Sequence, residues 1–76
     1  MIKIYTTTYC PFCRMAKEFL KDHGFEFEEI NVEENEEGFK EMVEKSGQFG
    51  VPVIDIDGNI IIGFDRKKIK ELLNIK

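Results

Sequence analysis

Residues 1–24 read MIKIYTTTYCPFCRMAKEFLKDHG, and the change of hydrophobic period inside this stretch decides the fold. Across Met1-Ile2-Lys3-Ile4-Tyr5 the side chains alternate, with β-branched or aromatic residues at Ile2, Ile4 and Tyr5, as a buried strand requires. Thr6-Thr7-Thr8-Tyr9 reads as a loop. From Pro11 onward Phe12, Met15, Ala16, Phe19 and Leu20 recur at helical spacing, with Arg14, Lys17, Glu18 and Lys21 opposite, which predicts an amphipathic helix. Pro11 suits its first turn and Gly24 its end.

Working outward, Phe25, Phe27, Ile30 and Val32 mark a second strand over 26–32 with one irregular step. A helix is expected from about Asn35 to Ser46-Gly47, with Glu36 and Glu37 in its first turn and Phe39, Met42 and Val43 on one face. Residues 51–56 and 59–62 are short apolar runs joined by Asp57-Gly58, a hairpin signal. Asp65 can cap a last helix carrying Ile69, Leu72 and Leu73, with Phe64 stapled onto Ile69. The expected order is βαβαββα. The class is α/β: one mixed four-stranded sheet, three helices on its two faces, and a right-handed parallel first crossover.

The 76 residues suffice for one domain, expected over 1–76. A chain this short buries only roughly 60% of its unfolded surface, so every element must serve the core. Apolar residues at 42% and charged ones at 34% exclude the fibrous, disordered and membrane classes. The net charge is −4, and nine of the fifteen acids lie between Glu26 and Glu44, so nucleic acid is not an expected partner. The basic stretch Arg66, Lys67, Lys68, Lys70 reads as a solvated helix face. With no secretory pattern and no run near the ~20 residues of a membrane span, a cytoplasmic location is expected. In such a reducing compartment two cysteines are kept for chemistry rather than as a staple.

Cys10 stands just before the helix, where free N–H groups and the positive end of the dipole favour an anion such as a thiolate. A thiol near 8.5 can fall to between about 3.5 and 7.5 in such surroundings. Cys13 lies one turn on, within reach of a disulfide after a small adjustment. Cys10 would attack a substrate disulfide and Cys13 would resolve the mixed disulfide, with Pro11 stiffening the turn between them. Cys-x-x-Cys is also half a zinc site, but His23 is the one further soft ligand, and its place at a helix end fits capping. By spacing Phe12 is as much core as site. Pro52 reads as a proline at the start of a strand unless the Val51-Pro52 bond is cis, which would mark function.

Ile4-Tyr5-Thr6, Cys10-Pro11-Phe12-Cys13, Ser46-Gly47, Val51-Pro52 and Gly63 with Asp65 occur together in the order and spacing of the glutaredoxins, which the chain resembles along nearly its whole length. The resemblance implies a thioredoxin fold, Cys10 as nucleophile, Cys13 as resolving thiol and a cis bond at Val51-Pro52. It also implies that the Val51 backbone pairs with substrate in β-strand fashion, and that Pro11, Phe12, Gly63, Phe64, Asp65 and Arg66 border the substrate. Phe12 replaces the usual tyrosine, which moves it to the rim.

Three departures bear on glutathione. Thr7 stands where glutaredoxins usually carry a lysine, Gly50 where they carry a threonine, and Arg66 where a second acid meets the glutathione amine. Two lost charged partners weaken that ligand by about 1.5–3 kcal/mol each. The Gly63-Phe64 step is similar to the glutaredoxin-like electron donors of ribonucleotide reductase, which are reduced by thioredoxin reductase. The expected protein is a monomeric electron carrier for protein disulfides, with no permanent cofactor, recycled by thioredoxin reductase and NADPH or by glutathione. The rival expectation is an iron–sulfur cluster or metal carrier using Cys10.

Overall fold

Two consecutive residues in left-handed backbone, Asp57 at φ 50° and Gly58 at φ 93°, close a two-residue turn. Positive φ at both positions is the type I′ geometry whose twist suits a two-residue hairpin. Asp55 Oδ1 accepts the Gly58 N–H at 2.8 Å and braces the turn. The computed structural model describes residues 1–75.

The turn joins β3 (Val53–Ile56) to β4 (Asn59–Ile62), with Ile56 opposite Asn59 and Val53 opposite Ile62. β1 (Ile2–Thr6) runs antiparallel to β3, pairing Ile4 with Ile54, and parallel to β2 (Glu28–Asn31), pairing Tyr5 with Ile30. The four-stranded sheet has the order β2-β1-β3-β4. Helices α1 (Pro11–Asp22), α2 (Glu36–Ser46) and α3 (Arg66–Leu73) complete the expected βαβαββα series.

The strand period sorts side chains onto two faces. Ile2, Ile4, Ile54, Ile56 and Ile61 pack with Ala16 and Leu20 of α1 and Ile69 of α3. Tyr5 and Val53 face the other way and pack with Val32 and Met42, Phe39 and Val43 of α2 joining them. Each fully buried Leu or Ile contributes roughly 1.5–3 kcal/mol relative to exposure. Asn35 caps α2 through Oδ1 on the Gly38 N–H at 2.8 Å, and Asp65 caps α3 through Oδ1 on the Lys68 N–H at 3.2 Å. Phe64 packs on the same apolar cluster as Ile69, edge-on to Phe19 with ring centroids 5.9 Å apart. His23 ends α1, its Nδ1 2.8 Å from the Phe19 carbonyl oxygen, so that nitrogen carries the proton it donates.

Three boundaries and the buried face of one helix differ from the sequence reading. Thr6 belongs to β1 and is buried, because its hydroxyl finds Glu29 Oε2 at 2.9 Å. β2 is shorter than 26–32: Phe25 and Phe27 pack into the α1/α3 core from the segment before it. β3 starts at Val53 rather than at 51, since Pro52 has no N–H for the ladder. Met15 is 46% exposed and Phe12 60%, so the buried stripe of α1 is Cys13, Ala16 and Leu20. Phe12 and Met15 each precede a member of that stripe and point about 100° away from it.

Candidate active site

Antiparallel pairing of β1 with β3 puts the residues after Thr6 and those before Val53 at the same end of the sheet, and the pairing of Val53 with Ile62 adds Gly63. That end gathers Cys10 at the start of α1, Val51-Pro52, and the residues leading into α3. Cys10 is the N-cap of α1, with extended backbone, and is joined to Cys13 by a disulfide across a Cα–Cα distance of 5.2 Å. The N–H of Cys13 donates to Cys10 Sγ at 3.2 Å, so an unpaired donor of the first turn already points at this sulfur. No acidic residue stands in that first turn to oppose an anion. Cys13 is only 2% exposed, whereas Cys10 is partly accessible.

The loop carrying Cys10 is tied down from two directions. Asn31 Nδ2 donates to Thr8 Oγ1 at 3.1 Å, and the Thr8 N–H donates to Glu33 Oε1 at 3.0 Å, which fixes the loop against the end of β2. Beneath it, Glu29 Oε2 accepts from Lys17 Nζ and from Thr6 Oγ1, each at 2.9 Å, joining α1 to both strands. The hydrogen bond from Lys17 holds the Glu29 carboxyl below the usual carboxylate range, against the opposing effect of burial and with help from Thr6.

Beside the cysteines lies an open groove of about 370 Å³, walled by Thr7, Thr8 and Tyr9 on the loop and by Arg14, Met15 and Lys17 on α1. Of these wall residues the sequence reading connected only Thr7 with the site, as the position where glutaredoxins usually carry a lysine for glutathione. Arg14 and Lys17 follow Cys10 at helical spacing, four and seven residues on, which is the signal that places them on its side of α1.

The sequence-derived candidates separate as follows. Pro11 and Phe12 are exposed at the start of α1, so Phe12 is not core. The Val51-Pro52 bond is cis; Pro52 is buried and its carbonyl accepts the Gly63 N–H at 2.8 Å. Gly63 has φ 81°, a backbone for which glycine is suited. Phe64 leans on Phe19, and the Arg66 guanidinium lies over the same ring at 5.8 Å from its centroid. Asp65 Oδ1 is engaged as the α3 cap. Among the described residues no cluster of three or more His, Cys, Asp or Glu could hold a metal ion. Likewise no described helix is long and apolar enough to cross a membrane.

Residues 2–61 match the family model for glutaredoxin. The chain belongs to the glutaredoxin family. Among its relatives is a glutaredoxin-like 8.6 kDa protein in the rubredoxin operon of Clostridium pasteurianum, 48% identical over 73 residues, covering 96% of this chain and 97% of that one. A solved mutant of the thioredoxin-like protein BC3987 superposes with a TM-score of 0.93 at 32% identity, covering 99% and 96% of the two chains. The glutaredoxin-like NrdH-redoxin of Escherichia coli, described as having a thioredoxin-like activity profile, gives a TM-score of 0.81 at 32% identity over 93% and 92%. This glutaredoxin therefore has the thioredoxin fold, and it is a redox protein with a Cys-x-x-Cys pair.

Proposed function

We propose that this glutaredoxin-family protein reduces protein disulfides, with Cys10 as the nucleophile and Cys13 as the resolving thiol, and that thioredoxin reductase recycles it with electrons from NADPH. One observation carries the assignment of roles: Cys10 is accessible at a helix start with a backbone N–H on its sulfur, while Cys13 is 2% exposed. Only the accessible sulfur can meet a disulfide on another protein, and the thiolate is the species that attacks.

In the dithiol form Cys10 Sγ⁻ attacks one sulfur of the substrate disulfide. That bond breaks, the other substrate sulfur leaves as a thiolate and takes a proton, and a mixed disulfide forms at Cys10. Cys13 gives up its proton and attacks Cys10 Sγ from within the helix turn, releasing the second substrate thiolate. Two electrons have passed to the substrate, and the Cys10–Cys13 disulfide remains to be reduced. The Val51 backbone, next to Pro52 at the same end of the sheet, receives the substrate segment as an added strand, bordered by Pro11, Phe12, Gly63, Phe64, Asp65 and Arg66.

The choice of reductant rests on charge. Thr7 offers no cation to a glutathione carboxylate, and Arg66 offers a cation where the glutathione amine would want an acid. The likeness to an NrdH-redoxin with a thioredoxin-like activity profile supports the same choice. No permanent cofactor is needed, and the protein is proposed to act as a cytoplasmic monomer. The test reduces the oxidised protein with thioredoxin reductase and NADPH in one reaction and with glutathione, glutathione reductase and NADPH in another, followed by thiol titration. Faster reduction by thioredoxin reductase is expected. Faster reduction by glutathione would overturn the choice of reductant, and reduction by neither would overturn the redox role.

A further inference from the structure

The segment leading to Val51 is held by one side chain. Gln48 Oε1 accepts the Gly50 N–H at 2.6 Å, and Gln48 Nε2 donates to the Gly50 carbonyl oxygen at 3.0 Å. One carboxamide thus satisfies both backbone groups of one residue, as a neighbouring strand would. The same Nε2 donates to Ser46 Oγ at 3.3 Å, and Ser46 Oγ donates to the Met42 carbonyl at 2.7 Å, which anchors the carboxamide to the last turn of α2. On the far side of Val51, Pro52 is held through its carbonyl by the Gly63 N–H. Val51 therefore lies between two fixed points, and the only one of these made by a side chain is Gln48.

Gly50 completes the fit. A Cβ added there would meet Gln48 Oε1 at 2.8 Å, so a larger residue requires this side-chain end to shift away from its place on the Gly50 N–H. Tying residues 48 and 50 together also turns Phe49 outward, 71% exposed and stacked on Phe39 with centroids 6.0 Å apart.

We propose that Gln48 is a positioning residue for peptide substrates: by gripping both backbone groups of Gly50 it presents the Val51 backbone as a preformed edge for an extended, disulfide-bearing chain. This rests on the disulfide-exchange reading above. A fixed edge spares the substrate the cost of ordering the loop, so loss of the clamp weakens docking without slowing the exchange between sulfurs.

The test uses the reduced full-length protein in single turnover with two probes. One is a linear synthetic peptide whose single cysteine is disulfide-bonded to cysteamine; the other is cystamine, which has the same leaving thiol and no peptide backbone. Gln48→Ala is expected to raise the half-saturating peptide concentration about fivefold to tenfold, the worth of one net hydrogen bond. The limiting rate with peptide and the rate with cystamine should stay within twofold of wild type, by the same logic that separates docking from chemistry. Gly50→Ala attacks the clamp from its other partner and should give the same rise alone but no further rise on top of Gln48→Ala.

Unchanged half-saturation in both variants would overturn the proposal, as would an equal slowing with cystamine, which marks a general distortion. If the wild type reacts with cystamine but gains nothing from the peptide, docking on Val51 fails and the role of Gln48 with it. A wild type inert to cystamine would instead sink the disulfide-exchange reading itself.

Discussion

On the α1/α3 face of the sheet, Ile4, Ile54 and Ile61 meet Ala16, Leu20 and Ile69 in an apolar cluster. Under α2 the same strands place Lys3, Tyr5 and Asp55 toward the helix, and an ionic network grows there beside the apolar contacts of Met42 and Val53. Lys45 Nζ donates to Asp55 Oδ2 at 2.7 Å, to Tyr5 Oη at 2.9 Å and to Glu41 Oε1 at 3.0 Å. Tyr5 Oη donates to Glu41, and Lys3 lies 3.5 Å from the same carboxylate oxygen. Burial opposes the charge on Lys45, but its bonds to Asp55, Tyr5 and Glu41 outweigh that and hold the ammonium above its ordinary range. Asp55 is likewise opposed by burial and held below the carboxylate range by Lys45.

The difference teaches how one small sheet divides its work. Apolar packing is non-directional and sets how close the helices lie, whereas hydrogen-bonded charges fix a helix in register. The register matters most for α2, because its last turn continues through Ser46 and Gln48 to Gly50 and Val51. The α1/α3 face supports the buried sulfur of Cys13; the α2 face aims the backbone proposed to receive substrate.

Breaking the apolar face should have the larger effect. Leu20→Ala leaves a cavity under α1 and is expected to cost about 2–5 kcal/mol in urea unfolding, with a lowered midpoint and little change in slope. A loss below about 1 kcal/mol would mean that α1 collapses onto the gap. Breaking the ionic face comes next. Lys45→Met keeps much of the side-chain volume but leaves Asp55 Oδ2 without its donor and the Tyr5 hydroxyl with Glu41 as its remaining partner, for an expected loss of about 1–3 kcal/mol in the same measurement. Replacing Asp55 by Asn in that background should recover part of it.

The smallest effect is a pH dependence. Tyr5, then Lys45, hold the Glu41 carboxyl down to about 2. A carboxyl lowered by folding stabilises the native state fully above the ordinary carboxylate range, and that gain is lost as pH falls toward the folded value. The melting-temperature advantage of wild type over Glu41→Gln should therefore hold at pH 6 and shrink between about pH 4.5 and 2. Glu41 is partly open to solvent, so the gain itself is expected within about 0.2–1 kcal/mol. An advantage that persists unchanged to pH 2 would assign the stabilisation to packing.

The sequence makes the apolar half of this comparison legible. Alternation in β1, the Asp57-Gly58 pair, and the caps Asn35 and Asp65 each carry a local signal, and together they yield the element order. Cys10 and Cys13 are legible because their spacing and their place at a helix start are chemical statements in themselves. Met15 misleads, since periodicity cannot tell a helix centred on small Cys13 and Ala16 from one centred a residue earlier. The ionic face is hidden, because Lys3, Glu41, Lys45 and Asp55 look like ordinary solvated charges until the sheet register brings them together. Gly38 is hidden in the same way: a Cβ there would meet Ile30 Cγ2 at 2.5 Å, a contact between α2 and β2 that no local pattern announces. Gln48 is polar, in a loop, and meaningful only through Gly50.

The most direct measurement is covalent trapping on Cys10. Cys13→Ser protein, reduced and then mixed with an oxidised protein substrate such as insulin, should accumulate a mixed disulfide that mass spectrometry maps to Cys10, while Cys10→Ser accumulates none on the buried Cys13. Equal trapping on Cys13 in the Cys10→Ser protein would contradict the division of roles that burial and the helix start assign to the two sulfurs.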